Sequence, residues 1–264
     1  MRSRFLRLET CILALPVLVA VALMSHLATP EAPEVELAGY ATGLRERTAS
    51  QQHNAARAAS AINRAVIEPG AEFSFNKTVK SWSLDRGYVK APVSYDGDLI
   101  KAYGGGVCQT STTLYNAALL AGLPIIERHP HAFAPHYVPP GRDAAVAQYD
   151  VDLRFRNPYP WPIRIVTVVD EDHLTVRIMG AHKPDLQVGV RTDQLDRIVP
   201  RRLTRVTNAG GYAKVRPYLR NPGAFGYRVV TYRVFSSKGV ETRREQLADD
   251  SYQAMNRVVQ VTDD

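Results

Sequence analysis

The residue types able to do nucleophilic chemistry gather in one stretch, Gly104-Gly105-Gly106-Val107-Cys108-Gln109-Thr110-Ser111-Thr112-Thr113-Leu114-Tyr115-Asn116-Ala117-Ala118. A thiol attacks as its thiolate, and the positive end of a helix dipole favours that charge. Cys108 stands where a helix should begin: three glycines precede it, and neither Gly nor Pro interrupts the chain from there to Leu120. Thr and Ser just after it can serve the first-turn N–H groups, which lack intrahelical partners. A cysteine nucleophile also needs a base to take its proton and a third group to orient that base. His129, His131 and His136 follow the helix, and Asp143 and Asp152 come after them. The backbone N–H groups of Cys108 and Gln109, or the side-chain amide of Gln109, are candidate oxyanion donors. The opposing reading is structural: Cys108 packs as filler, His129-Pro130-His131 is a satisfied loop pair, and Asp143 bonds local backbone beside the Pro139-Pro140-Gly141 turn.

The elements that must position these groups follow from periodicity. A helix is expected from Cys108 to about Ala121, with Cys108, Thr112, Tyr115 and Leu119 along one stripe and Leu114, Ala117 and Leu120 supplying apolar surface elsewhere. A helix apolar on more than one side belongs at the centre of a fold. Gly122 and Pro124 end it. Upstream, Ala41 to Ile67 reads as an amphipathic helix, with Ala55, Ala58, Ala59, Ile62 and Val66 on one face, stopped by Glu68-Pro69-Gly70. Phe73-Ser74-Phe75-Asn76 reads as a strand. Downstream the period changes to two: Pro124 to Arg128, Phe133 to Val138, Ala144 to Tyr149 and Val151 to Arg156 read as strands. Ile163–Val169 and Leu174–Met179 form an expected hairpin whose Asp170-Glu171-Asp172-His173 tip is a solvated turn. Beyond Lys183 the chain reads as β-rich, with strands at Val229–Phe235, Val240–Leu247 and Val258–Thr262 and a short helical piece near Ser251–Met255. The expected fold class is α+β, a central helix starting at a Gly-rich loop and packed on a mostly antiparallel sheet, with a small C-terminal β-rich extension.

Composition bounds the function classes. The chain has 264 residues, 45% hydrophobic and 22% charged, which is ordinary for a globular protein, and a formal net charge of +7. A basic surface suits anionic partners such as wall polymers or lipid headgroups. Nucleic acid is not expected, because there is no zinc-finger spacing, RNP-like motif or aromatic-interleaved basic cluster. No close C-x-x-C or H-x-x-x-H spacing supports a metal, and no cofactor is expected. At the N-terminus, Arg2, Arg4 and Arg7 precede the apolar run Cys11–Met24, which contains Pro16 and is shorter than the roughly 20 residues of a membrane span. Residues 1–28 therefore read as a signal peptide or an N-terminal anchor in contact with the membrane, and 29–40 as a Pro/Glu/Ala-rich linker. The chain has two cysteines, so removal of that segment leaves Cys108 unpaired, as inert filler or as a functional thiol.

The motifs resemble one family. Gly104 to Ala117, Glu127-Arg128-His129-Pro130-His131, Tyr137-Val138-Pro139-Pro140-Gly141-Arg142-Asp143-Ala144, Phe73-Ser74-Phe75-Asn76 and Asp152 to Asn157 together resemble the VanW-like family. The family is named after an accessory protein found with glycopeptide (vancomycin) resistance genes. The resemblance implies an exported, cell-wall-associated protein on the outer face of the cytoplasmic membrane or in the periplasm, with peptidoglycan or wall peptides as partners. The VanW-like domain is expected at 41–182 and the β-rich segment at 183–264. Where the family commonly has Ser, this chain has Ala132. The expected site is Cys108 as nucleophile, His131 as base and Asp143 as orienting acid. His129 and Asp152 are held in reserve, and Gly105, Gly106, Gln109, Thr112 and Tyr137 are substrate or oxyanion candidates. The activity expected is a cysteine-dependent hydrolase or acyl transferase, against the alternative of a non-catalytic wall- or partner-binding module.

Overall fold

In a computed structural model, the described residues are 34–95, 98–207 and 218–262. Residues 1–28, read above as a signal or anchor, lie outside them. Contacts separate the chain into Met1–Glu34 and Val35–Asp264, and the description below concerns the second unit.

Three α-helices are found among the described residues. Helix α1 (Ala49–Ile62) starts at Thr48, whose hydroxyl accepts from the Gln51 N–H while the Gln51 side chain accepts from the Thr48 N–H, a reciprocal capping box. Helix α2 (Phe75–Val79) is a single turn capped by Ser74, and α3 (Val107–Leu120) follows the three glycines. A four-stranded antiparallel sheet has the order β1–β9–β8–β2, from β1 (Val35–Gly43), β9 (His173–Gly180), β8 (Ile163–Val169) and β2 (Val66–Ile67). Helices α1 and α3 pack against each other and against this sheet. Alternation decides which face is covered. Leu174, Val176 and Ile178 of β9 are buried while His173 and Arg177 are exposed, and β8 contributes Ile163 and Ile165. Leu114 and Leu119 of α3 are wholly buried in the same core, each worth about 1.5–3 kcal/mol of transfer free energy.

Smaller sheets surround this layer. β3 (Glu72–Ser74), β7 (Arg154–Arg156) and β6 (Ile125–Glu127) form one, with Phe73 stacked on Phe155, and β4 (Lys90–Tyr95) pairs with β5 (Asp98–Tyr103) ahead of the glycines. In the C-terminal part, β10 (Gln187–Ile198), β13 (Gly226–Ser237) and β14 (Val240–Tyr252) make an antiparallel sheet. β11 (Arg202–Thr207), β15 (Arg257–Thr262) and β12 (Tyr218–Asn221) make another, with β11 and β15 parallel. The fold is α+β with a central helix on mostly antiparallel sheet. No helix of the described residues is long and apolar enough to cross a membrane.

Four local expectations are corrected. Val35–Gly43, read as linker and helix start, is a strand paired along its length with β9, a partner more than 130 residues away that no local pattern reveals. Phe73–Asn76 is strand only to Ser74, after which Ser74 caps α2. Between His129 and Leu153 the expected strands reduce to isolated bridges, His129 with Ala145 and Ala147 with Val151, before β7. Pro130, Pro135, Pro139 and Pro140 have no N–H to give a ladder, and side chains take over the backbone bonding there. Ser251–Met255 is not helical: β14 runs to Tyr252 and Met255 bridges to Ala224.

Candidate active site

The glycines ahead of Cys108 are a packing device. Gly106, at φ 106°, lies so near α1 that a Cβ there would come within 2.2 Å of the Gln51 carbonyl oxygen, and a Cβ on Gly105 would meet the Pro92 carbonyl oxygen at 2.5 Å. The N-terminus of α3 is thereby wedged between α1 and β4, and both glycines are buried beneath the site. The polar run after Cys108 is buried as well, and apart from the Gln109 Oε1 its side-chain groups are bonded. Thr110 donates to the Ala55 carbonyl, Ser111 to that of Ala144, and Thr113 to that of Gln109. Asn116 donates to the Thr112 and Arg142 carbonyls and accepts from the Arg142 guanidinium. Such bonding is required of polar groups without water, and here it fastens α3 to α1 and to the loop carrying Arg142–Ala144. Gln109 uses its amide N–H groups on the Thr42 hydroxyl, at 3.1 Å, and the Gly43 carbonyl, at 2.8 Å. That side chain is therefore not a free oxyanion donor, and the Gln109 backbone N–H is also taken, donating to the Gly106 carbonyl at 3.1 Å.

The loop of Asp143 brings the acid under the helix start. Asp143 is wholly buried, and its carboxylate accepts from the His131 backbone N–H at 2.7 Å, His131 Nδ1 at 2.5 Å, Arg128 Nη2 at 3.0 Å and the Tyr252 hydroxyl at 2.5 Å. With Nδ1 held by Asp143, the ring is fixed close enough to the Cys108 sulfur for each group to act on the other's charge. The His131 side chain is 24% exposed and Cys108 half-buried, so the imidazole and thiol reach the surface while the acid does not. The sulfur also sits 3.4 Å from the Val146 carbonyl oxygen.

Electrostatics follow from these contacts. Burial alone would push the Asp143 carboxyl up, but His131 and Arg128 outweigh it and hold it below the usual carboxylate range. Burial likewise works against a charged imidazole, yet Asp143 and the Cys108 sulfur raise His131 to about 10. The Cys108 thiol is raised by burial and drawn down more strongly by His131, so it ends below an ordinary thiol. The two shifts act in the same sense, toward a thiolate facing an imidazolium.

Other candidates are placed as follows. Thr112, one turn after Cys108, accepts from the Ala144 N–H at 3.0 Å, and Tyr137 lies near Thr112 and the Cys108 sulfur. Burial and the nearby Cys108 charge push the Tyr137 phenol well above its ordinary value, which leaves it a neutral donor. His129 and Asp152 belong to a separate cluster. His129 Nε2 meets Glu127 at 3.1 Å, while Asp152 accepts from the Ser74 hydroxyl and the Asn76 N–H and organises the start of α2. Neither has a hydrogen bond to Cys108 or His131 among the described residues.

Sequence reading missed the supports of Asp143. Arg128 donates through Nε to the Asp143 carbonyl and through Nη1 to Asp250, and the Tyr252 hydroxyl also accepts from the Gly141 N–H at 2.8 Å. Gln253 N–H donates to the Ala132 carbonyl, pinning the chain just past His131, and Thr231 donates to the Gly141 carbonyl. The C-terminal strands β13 and β14 thus hold the loop that carries the acid. The signal available was modest: Asp250 and Tyr252 are two apart on a strand, so they share a face.

The family described as VanW like protein matches residues 50–179. Uncharacterized protein YoaR of Bacillus subtilis (strain 168) is 41% identical over 143 residues, 54% of this chain and 46% of the relative. Vancomycin B-type resistance protein VanW of Enterococcus faecalis (strain ATCC 700802 / V583) is 29% identical over 132 residues, 48% of each. The chain spans about half the length of these curated relatives. Among solved structures, the crystal structure of HP0197-G5 aligns at 17% identity over 30% of this chain and 99% of that chain, with a TM-score of 0.16. The IgA1 protease G5 domain aligns at 21% identity over 31% and 94%, with a TM-score of 0.22. Scores this low carry no argument. Asp250 and Tyr252 fall outside the matched residues, whereas the thiol, the imidazole and the carboxylate all fall inside them. By its residues 50–179, this chain belongs to the VanW-like family.

Proposed function

We propose that this protein is an exported, envelope-associated cysteine enzyme that hydrolyses or transfers an acyl group, with peptidoglycan peptides or another amide as substrate. The observation that carries the reading is a buried Asp143 bonded to His131 Nδ1 at 2.5 Å, with a half-buried Cys108 close enough to His131 for the two to act on each other's charge. In this reading the thiolate adds to the acyl carbon, and the carbonyl electron pair moves to oxygen beside the Cys108 N–H. Collapse of that intermediate expels the amine, which takes the proton from His131. A water or an acceptor amine then gives a proton back to His131 as it displaces the thiolate. Asp143 keeps the ring oriented and supports its charge throughout. Relationship to a vancomycin resistance protein directs the choice of substrate to the cell wall, and the N-terminal apolar run directs the location to the envelope.

The test is turnover of purified wall fragments by the wild type, Cys108→Ala and His131→Ala, with unfolding curves recorded for each. Loss of product with folding retained supports the reading, and equal product from wild type and Cys108→Ala refutes it. A second reading, a non-catalytic wall-binding module, is favoured by the sulfur's seat 3.4 Å from the Val146 carbonyl, a position that also suits a packed thiol. Equal binding of wild type and Cys108→Ser to isolated wall sacculi, with no product released, would select it.

A further inference from the structure

Beside the thiol lies an unpartnered cation. Arg47, in the loop between β1 and α1, is half-buried, and its Nε is shut away from solvent with no hydrogen-bond partner among the described residues. Its guanidinium lies 5.3 Å from the ring centre of Tyr137, and the nearby Gly43 carbonyl accepts from the side chain of Gln109, the residue after Cys108, at 2.8 Å. Arg47 and Tyr137 line an open cavity of about 500 Å³ together with Gly43, Arg45, Glu46, His136, Asp172 and His173. That volume falls within the roughly 300–1,000 Å³ of small-molecule sites. The other arginine there is already satisfied: Arg45 makes two bonds to Asp172, at 2.5 and 2.7 Å. The terminal Nη groups of Arg47 also make no hydrogen bond among the described residues, and the Nη1/Nη2 edge of a guanidinium offers two N–H groups that match a carboxylate.

We infer that this cavity is the substrate's anion subsite, in which Arg47 receives a carboxylate of the acyl substrate whose scissile carbonyl lies at Cys108. The inference rests on the catalytic reading above and adds the substrate class: an amide or peptide bearing a carboxylate close to the bond attacked. Tyr137 lines the cavity beside the cation, and Gly43 of the same lining is tied to the start of the helix that carries the thiol. Glu46, at the exposed rim, disfavours a dianion and suits a single carboxylate.

Two measurements test it. The first compares alkylation of Cys108 by iodoacetate, which carries a carboxylate, with alkylation by neutral iodoacetamide. The ratio of the two rates should fall about tenfold or more in Arg47→Gln, as expected for loss of one charge-assisted hydrogen bond, and should hardly move in Arg45→Gln, which removes the same charge from the paired arginine. An unchanged ratio in Arg47→Gln, with both reagents reacting, overturns the subsite while leaving the catalytic thiol standing. The second does not depend on the thiol. The Arg47 Nε–H resonance of Cys108→Ser should shift saturably with N-acetylglycine or N-acetylglutamate α-amide, the stronger of the two assigning the carboxylate to a chain end or a side chain, and not with acetamide. No saturable shift with either carboxylate overturns the inference even if Cys108 is inert to both reagents.

Discussion

Replacing Tyr252 by Phe isolates the contribution of the C-terminal strands to the site. The ring stays, so no cavity forms, and only the hydroxyl is lost. That hydroxyl donates to Asp143 at 2.5 Å and accepts from the Gly141 N–H at 2.8 Å, both inside the protein. A hydrogen bond to a charged group contributes about 1.5–3 kcal/mol, and a buried N–H left without an acceptor costs about 1–3 kcal/mol. The expected loss is about 3–5 kcal/mol, a large share of the roughly 5–15 kcal/mol by which a domain is stable. The assay is urea unfolding followed by tryptophan fluorescence, with the midpoint lowered and the slope unchanged. Asp143 should also titrate higher than in the wild type, because the Tyr252 bond helps to hold it down. A loss below about 1 kcal/mol would refute the claim that β14 sustains the acid.

The pH profile of stability tests the ion pair. His131 is raised, so its contribution is complete below the unfolded value of about 6.5 and disappears as pH rises through about 10. Cys108 is lowered, so its contribution is complete above the unfolded value of about 8.5 and disappears as pH falls through the folded value. Between about 6.5 and 8.5 the two contributions have opposite slopes, so Cys108→Ser should lose stability more steeply than the wild type as pH rises there; identical profiles would contradict the pairing. Gly106→Ala places a methyl group 2.2 Å from the Gln51 carbonyl at a left-handed backbone, and should lower stability by about 2–5 kcal/mol in the same unfolding assay. Asp152→Asn should cost about 1–3 kcal/mol through the start of α2 while leaving the alkylation rate of Cys108 unchanged, since Asp152 bonds Ser74 and Asn76 instead of the site.

Local chemistry made α3 and its cysteine legible. Three glycines, a break-free run to Leu120 and the Gly122–Pro124 stop mark a helix by rules that act within a few residues, and the structure places it at Val107–Leu120. The β8–β9 hairpin was equally legible, because alternation and an acidic turn are both local. What stayed hidden was set by distant partners. Val35–Gly43 is a strand only because β9 lies alongside it. The segment 129–153 alternates like a strand, yet its prolines and side-chain bonds commit it to a loop that carries His131 and Asp143. The same limit applies to the site. Residue type and order singled out Cys108 with three histidines and two aspartates, and His131 and Asp143 were chosen alongside the family resemblance, whereas Arg128, Asp250 and Tyr252 act through contacts spanning more than 100 residues, from Arg128 to Asp250 and from Asp143 to Tyr252. Gln109 shows the converse error: an amide beside a cysteine suggested an oxyanion donor, but burial had already committed it to Thr42 and Gly43.

The central claim is that His131 draws the Cys108 thiol below its ordinary pKa. Its most direct test is the ultraviolet thiolate absorbance of the folded protein titrated with pH, with Cys108→Ser as the blank and His131→Ala beside it. The account predicts that wild-type Cys108 titrates below an ordinary thiol and that the midpoint moves upward in His131→Ala, where burial acts unopposed. A wild-type midpoint at or above the ordinary thiol value, unmoved by His131→Ala, would contradict it.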